Sequence, residues 1–302
     1  MPFQFFSNFL FLILEKSILH MKKYLLFAFL FIYTFSYAQK AADELKVLSW
    51  NIYMLPAAAN LSKEITKSNK PERVDQISEI MNSSDYDIII FQEAFHIPSR
   101  KKLAKNLKDK FPFQYGPLNK GFIKTNSGIF IVSKIPLTEL AKIQYKDCNS
   151  SDCLARKGCG IFEGEINGNK FQILGTHLNS TREQEIRELQ YEQIFSELLT
   201  TYQKDGVPQI ICGDLNTRQT NVEAYQSMLK KLDAVDIQTS GDRKHTTVTD
   251  KVIIDYILLR KNNSKIVAIE KQIRKFEAKT KMIDKLLGTL SDHLAVEVTF
   301  KF

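Results

Sequence analysis

Eight short runs rich in Val, Ile, Leu and Phe recur along this 302-residue chain, and amphipathic stretches lie between them. Runs of this length, bounded by turn-forming residues, read as strands at 45–50, 86–91, 128–132, 160–166, 171–176, 208–212, 252–259 and 294–300. Helical spacing predicts helices over 71–82, 99–110, 181–201 and 221–230. In the third, Ser180 and Glu183 are spaced as a capping box, and Ile186, Leu189, Ile194 and Leu198 fall near one face. Strands this apolar have little polar surface to show water, so other layers must cover both faces. The turn Asn167-Gly168-Asn169 marks a hairpin, which makes the sheets mixed rather than purely parallel. The fold class is therefore α/β. No Pro- or Gly-rich linker divides residues 39–302, which read as one domain.

The N-terminus stands apart. Met21-Lys22-Lys23, an apolar run to Phe35 and then Ser36-Tyr37-Ala38 have the layout of a secretory signal, with Met21 the expected true start. The run is shorter than the ~20 residues that span a bilayer. Removal of residues 1–38 leaves 264 residues and lowers the net charge from +8 to +6. The expected location is outside the cell or in a periplasm, and a basic surface there suits anionic or phosphate-bearing targets.

Export permits disulfides. Cys148, Cys153 and Cys159 cluster, whereas Cys212 sits in an apolar run and reads as a buried thiol. A local Cys148–Cys153 bridge is favoured. Other connectivities stay open, and a zinc site is the weaker alternative because no histidine lies near the cluster. Residues 260–290 carry nine Lys or Arg against three acids. Such a run is either a solvated face or a surface for anionic lipid or nucleic acid.

Polar residues recur at the ends of the apolar runs. Asn51 follows the first and Gln92-Glu93 the second; His177, Asp214 and Asn216 follow later ones, and Asp292-His293 precedes the last. Asp255 lies within a run, between Ile253, Ile254 and Ile257, Leu258, where a carboxylate needs a partner; a histidine is the obvious one. Taken singly, each is more often a turn former or a satisfied core group than a catalyst. Together, three carboxylates and two Asn offer hard oxygen ligands for Mg²⁺, and two His can manage a proton beside a phosphate. No phosphate-binding Gly-rich loop, nucleophile elbow or His-Glu-x-x-His motif is present.

The ordered series Trp50-Asn51, Gln92-Glu93, Gly175-Thr176-His177, Gly213-Asp214-Leu215-Asn216, Asp255-Tyr256 and Ser291-Asp292-His293 resembles the deoxyribonuclease-I-like endonuclease/exonuclease/phosphatase superfamily. Within it, residues 51–56, 128–137 and 148–158 look like bacterial neutral sphingomyelinases, the last through Asp152 and Lys157-Gly158. The resemblance implies a four-layer α-β-β-α sandwich with two central mixed sheets. It implies Mg²⁺, with Mn²⁺ or Co²⁺ able to substitute, held by Glu93, Asn51 and Asp292. Asp214 and Asn216 would position the phosphate and the attacking water, with Asp214 a candidate base. His293, held by Asp255, would be general base or phosphate-stabilising acid. His177 would bond the phosphate, and Asp152 and Lys157 would order the site and touch substrate. A monomer without an obligate protein partner would act on phospholipid at a membrane surface.

Two departures stand out. His96 occupies a place where the family often has an acid, and 260–290 offers Phe276, Met282, Leu286 and Leu287 for membrane contact but no Trp or Tyr. Three competing functions remain. A secreted nuclease would use the same residues, but no basic stripe interleaved with aromatics appears. A non-catalytic lipid-surface binder would not need the full polar set. An inositol-polyphosphate phosphatase would carry a Trp-Cys-Asp-Arg-type signature before Ile257, and this chain does not.

Overall fold

Side-chain alternation along the strands sorts the aliphatic residues into three apolar clusters, and these define the layers of the computed structural model. In β1 (Glu44–Asn51), Leu45 and Val47 face one way, Leu48 and Trp50 the other. In β2 (Ile88–Gln92), Ile88 and Ile90 separate likewise from Ile89 and Phe91. The structure describes residues 43–56, 69–119, 125–279 and 288–302. The expected signal segment lies outside these, as do Lys281, Met282, Lys285, Leu286 and Leu287. No helix among the described residues is long and apolar enough to cross a membrane.

The first sheet also holds β3 (Phe113–Tyr115), β4 (Phe130–Ser133), β11 (Val267–Arg274) and β12 (Ala295–Lys301), in the order β11-β12-β1-β2-β4-β3. The second holds β5 (Leu137–Gln144), β6 (Gly158–Ile166), β7 (Asn169–His177), β8 (Gln209–Asp214), β9 (Val235–Asp236) and β10 (Asp255–Arg260), in the order β5-β6-β7-β8-β10-β9. Both are mixed: β1 runs parallel to β2 and β7 to β8, whereas β4 opposes β2 and β10 opposes β8. The β6–β7 hairpin closes through Asn167 and Gly168, both at positive φ.

Helices α1 (Lys70–Ser83) and α2 (Ile97–Leu107) cover the outer face of the first sheet with Val74, Ile77, Met81, Leu103 and Leu107. Helices α3 (Gln184–Ile194) and α4 (Val222–Leu232) cover the second with Tyr191, Ile194, Met228 and Leu232. Between the sheets, Ile90, Ile131 and Val298 meet Ile173, Ile210 and Ile257. The result is the four-layer α-β-β-α sandwich.

Some expectations change. The helix expected over 181–201 begins at Gln184, with Glu183 at its N-cap, and after Ile194 it continues as a π turn, Phe195–Leu199. Ser180 caps nothing there. Its N–H and hydroxyl both donate to Asp152 Oδ2, at 2.5 and 3.0 Å. Leu189 is exposed, because Arg187 and Gln190 point inward to bond the Asn179 and Asp147 carbonyls. The strand expected over 252–259 starts at Asp255, since Val252 and Ile254 bond the Thr246–Thr247 turn and Leu215 instead of a ladder. The basic segment contains β11.

Candidate active site

Register brings the polar residues of each sheet to one edge. In the first sheet Asn51 ends β1 opposite Gln92 of β2, and Glu93 follows at once. Glu93 adopts φ +54°, a left-handed conformation uncommon for a non-glycine, and its Oε2 is shut off from solvent without a hydrogen-bond partner. Burial and then the charge of Asp292 push its pKa up to about 7. Asp292 itself, three residues before β12, is also raised by burial, against the pull of His293 and Arg73. In the second sheet one rung runs across three strands: His177 of β7, Asp214 of β8 and Asp255 of β10. Burial, then Asp255, raise the Asp214 carboxyl to about 7.

At this edge, polar contacts cross between the sheets. Asn51 Nδ2 donates to Asp214 Oδ2 at 3.1 Å, and His293 Nδ1 lies 2.9 and 3.1 Å from the two oxygens of Asp255. His293 Nδ1 is also 3.9 Å from Asp214 Oδ2. Burial opposes a charged His293, but Asp255, Asp214 and Asp292 overcome it and raise its pKa well above the usual range. His177 is the reverse case. Burial, then Lys157 and His293, hold it well below that range, so its ring stays neutral. Its Nδ1 is buried without a partner, and its Nε2 lies 3.6 Å from Asp214 Oδ2.

A loop clipped by the Cys148–Cys153 disulfide stands beside this cluster, while Cys159 and Cys212 are free and buried. The loop's 3-10 turn, Ser150–Leu154, carries Asp152, whose Oδ1 meets Lys157 Nζ at 2.9 Å. Lys157 also donates to the Leu178 carbonyl at 2.9 Å and lies 3.3 Å from His177 Nε2. Asn216, at φ +50°, donates its side-chain Nδ2 to the same carbonyl and its backbone N–H to Asp214 Oδ1. The residues singled out at the ends of the apolar runs thus converge on one locus with the Asp152–Lys157 pair, except Gln92, whose amide donates to Ser49 Oγ and the Ile90 carbonyl.

The donors fit a divalent cation. Glu93 presents a buried, unpartnered carboxylate oxygen, with Asn51 and Asp292 from the same sheet beside it. A second trio, Asp214, Asp255 and His293, has ligand atoms within 4.8 Å of one another. There, however, His293 Nδ1 is already engaged by Asp255, an arrangement that serves a proton better than a metal.

The basic segment behaves differently. Arg260 pairs with Asp233 at 2.9 Å, Lys271 with Asp236 at 2.6 Å and Arg274 with Glu297 at 3.5 Å. Lys275 pairs with Glu277 at 3.2 Å and Lys279 with Glu79 at 2.6 Å. Phe276 packs on Trp50, with ring centroids 4.9 Å apart. His96 caps α2, its Nδ1 2.7 Å from Ser99 Oγ. Sequence reasoning missed Arg73, which is fully buried beside the Glu93 half of the site. The available signal was a cation in the first turn of a helix, where the macrodipole disfavours it.

The chain is similar to known proteins. Sphingomyelinase C 2 of Leptospira interrogans is 27% identical over 256 residues, covering 73% of this chain and 40% of its own. Phospholipase C of Staphylococcus aureus is 29% identical over 225 residues, covering 68% of this chain and 66% of its own. This chain therefore spans less than two thirds of either relative. In fold it is similar to a crystal structure of an S. aureus beta-toxin variant with bound magnesium ions, with a TM-score of 0.70 at 22% identity over 84% of this chain and 99% of that one. A family model described as Endonuclease/Exonuclease/phosphatase family matches residues 48–293, from within β1 to His293 itself, and the chain belongs to that family.

Proposed function

We propose that this chain is a secreted, Mg²⁺-dependent phosphodiesterase that hydrolyses sphingomyelin to ceramide and phosphocholine. The observation that carries the reading is the meeting of two half-sites: Glu93, Asn51 and Asp292 on one sheet, and His177, Asp214, Asn216 and Asp255 on the other. Similarity to sphingomyelinase and phospholipase C relatives supports the lipid substrate. The signal-like segment from Met21 supports export.

On this reading Glu93, Asn51 and Asp292 hold the cation. Bound there, Mg²⁺ neutralises charge that builds on the phosphate oxygens. Asp214, at about 7, would take a proton from the attacking water. The water oxygen bonds to phosphorus and the bond to the ceramide oxygen breaks. His293, kept charged by its carboxylate neighbours, donates toward the phosphate and the leaving oxygen. Neutral His177 bonds a phosphate oxygen, and Asn216 and Lys157 orient the group. Asp152 holds Lys157 in place.

The purified protein should release phosphocholine from sphingomyelin vesicles with Mg²⁺ and lose that activity in EDTA. Phosphatidylcholine vesicles and plasmid DNA serve as the competing substrates. Glu93→Gln should lower the rate at least ~100-fold, the scale of removing one preorganised electrostatic group, without lowering Tm. Rapid cleavage of DNA with sphingomyelin left intact would replace this reading with the nuclease. Wild-type turnover in Glu93→Gln would end the assignment of Glu93.

A further inference from the structure

Arg73 breaks a local rule. It lies in the first turn of α1, as does Lys70, where the helix dipole already carries partial positive charge. It is fully buried, and burial pulls its pKa down to about 10. A sequence that tolerates both costs has a compensating use for the group.

The guanidinium contacts show that use. Nη2 donates to the Ile52 carbonyl at 2.5 Å and Nη1 to the Tyr53 carbonyl at 3.0 Å; both residues directly follow Asn51. Nε donates to the Leu290 carbonyl at 2.8 Å, two residues before Asp292. One rigid fork thus joins the segment leaving β1 to the segment entering β12. Ser291 makes a second tie between the same segments, its hydroxyl donating to the Asn51 carbonyl at 2.6 Å. The charge of Arg73 also acts on Asp292 and Glu93.

We infer that Arg73, helped by Ser291, is a positioning clamp for the divalent-metal site, fixing the spacing of Asn51 and Asp292 around Glu93. This rests on the assignment of those three residues as metal ligands. Lysine keeps the charge but not the planar fork, so it cannot bridge the three carbonyls in the same way. Loss of an outer group that orients metal ligands commonly weakens affinity about 10–100-fold.

The test is Mg²⁺ binding by calorimetry on folded protein, alongside kcat at saturating Mg²⁺. Arg73→Lys should raise the Mg²⁺ Kd at least about tenfold, and excess Mg²⁺ should restore most of kcat, which a merely structural arginine would not produce. An unchanged Kd in folded Arg73→Lys, whatever its Tm, would overturn the clamp. Should that variant fail to fold, Ser291→Ala removes a single hydroxyl and should raise the Kd about threefold or more; no change there would equally overturn it. Glu93→Gln is the control. If it binds Mg²⁺ as wild type does, the ligand assignment itself fails and the clamp with it. If it loses binding while Arg73→Lys and Ser291→Ala do not, only the clamp fails.

Discussion

At the scale of residues, the sequence pointed to Asp255 because a carboxylate among Ile and Leu needs a counterpart. The structure supplies His293 from the opposite sheet. That the counterpart would come from 38 residues away is not written in local pattern, because register and sheet packing decide it. Asp255, Asp214 and Asp292 face His293 as acids, with Glu93 and His177 also close enough to act on it. The folded pKa exceeds the unfolded one, so this pairing stabilises the protein at acidic and neutral pH and fades as pH rises through the folded value. Asp255→Asn removes the main force holding the proton, leaving burial opposed by Asp214 and Asp292 alone, so the pKa should fall. Activity that needs charged His293 should then be lost at a lower pH, its basic limb moving down by more than about one unit. The turnover number should fall roughly 100-fold or more, since the ring also loses its orienting partner. A pH–rate profile of unchanged shape and height would make Asp255 a satisfied buried acid and nothing more.

At the scale of elements, all eight expected strands exist, and the four that sequence reading missed are the edge strands β3, β5, β9 and β11. The reason is physical. A central strand is buried on both faces and must be a continuous apolar run, as Ile88–Gln92 is. An edge strand such as β11 alternates with exposed Glu and Arg and reads as loop. Interior strands also carry the tightest tolerances. Gly213 of β8 faces Thr176 of β7, one rung from His177 and Asp214. A Cβ on Gly213 would lie 2.2 Å from the Thr176 carbonyl oxygen, which is backbone and cannot step aside. Gly213→Ala should therefore cost about 2–3 kcal/mol in urea unfolding and reduce activity further than that loss of folded protein explains. Wild-type stability would show that β7 and β8 can part at this rung without penalty.

For the whole molecule, the proposed hydrolysis of sphingomyelin would require the catalytic edge to face a bilayer. In that docking the basic segment should contribute less than its composition suggests, because five of its described cations already have acidic partners. Removing Lys275 and Lys279 together should change vesicle binding less than about threefold, whereas unpaired cations gain ~1 kcal/mol each near anionic lipid. Leu154 is a better candidate contact. It is 69% exposed on the disulfide-clipped loop that carries Asp152. Leu154→Asp should reduce activity on sphingomyelin vesicles about tenfold and spare a soluble choline phosphodiester, since burying a leucine gains ~1.5–3 kcal/mol. Equal loss on both substrates would mean that Leu154 supports the loop, not docking.

The division of the site between two sheets has a consequence for when activity can arise. A chain in which each sheet has formed but the two have not yet closed on Ile90, Ile131, Ile173 and Ile257 possesses every reactive group and no working centre. The Asn51–Asp214 and His293–Asp255 contacts can exist only after closure. Competence thus depends on closure and not on either sheet alone, so a copy whose sheets have not met lacks the assembled centre that the proposed chemistry needs.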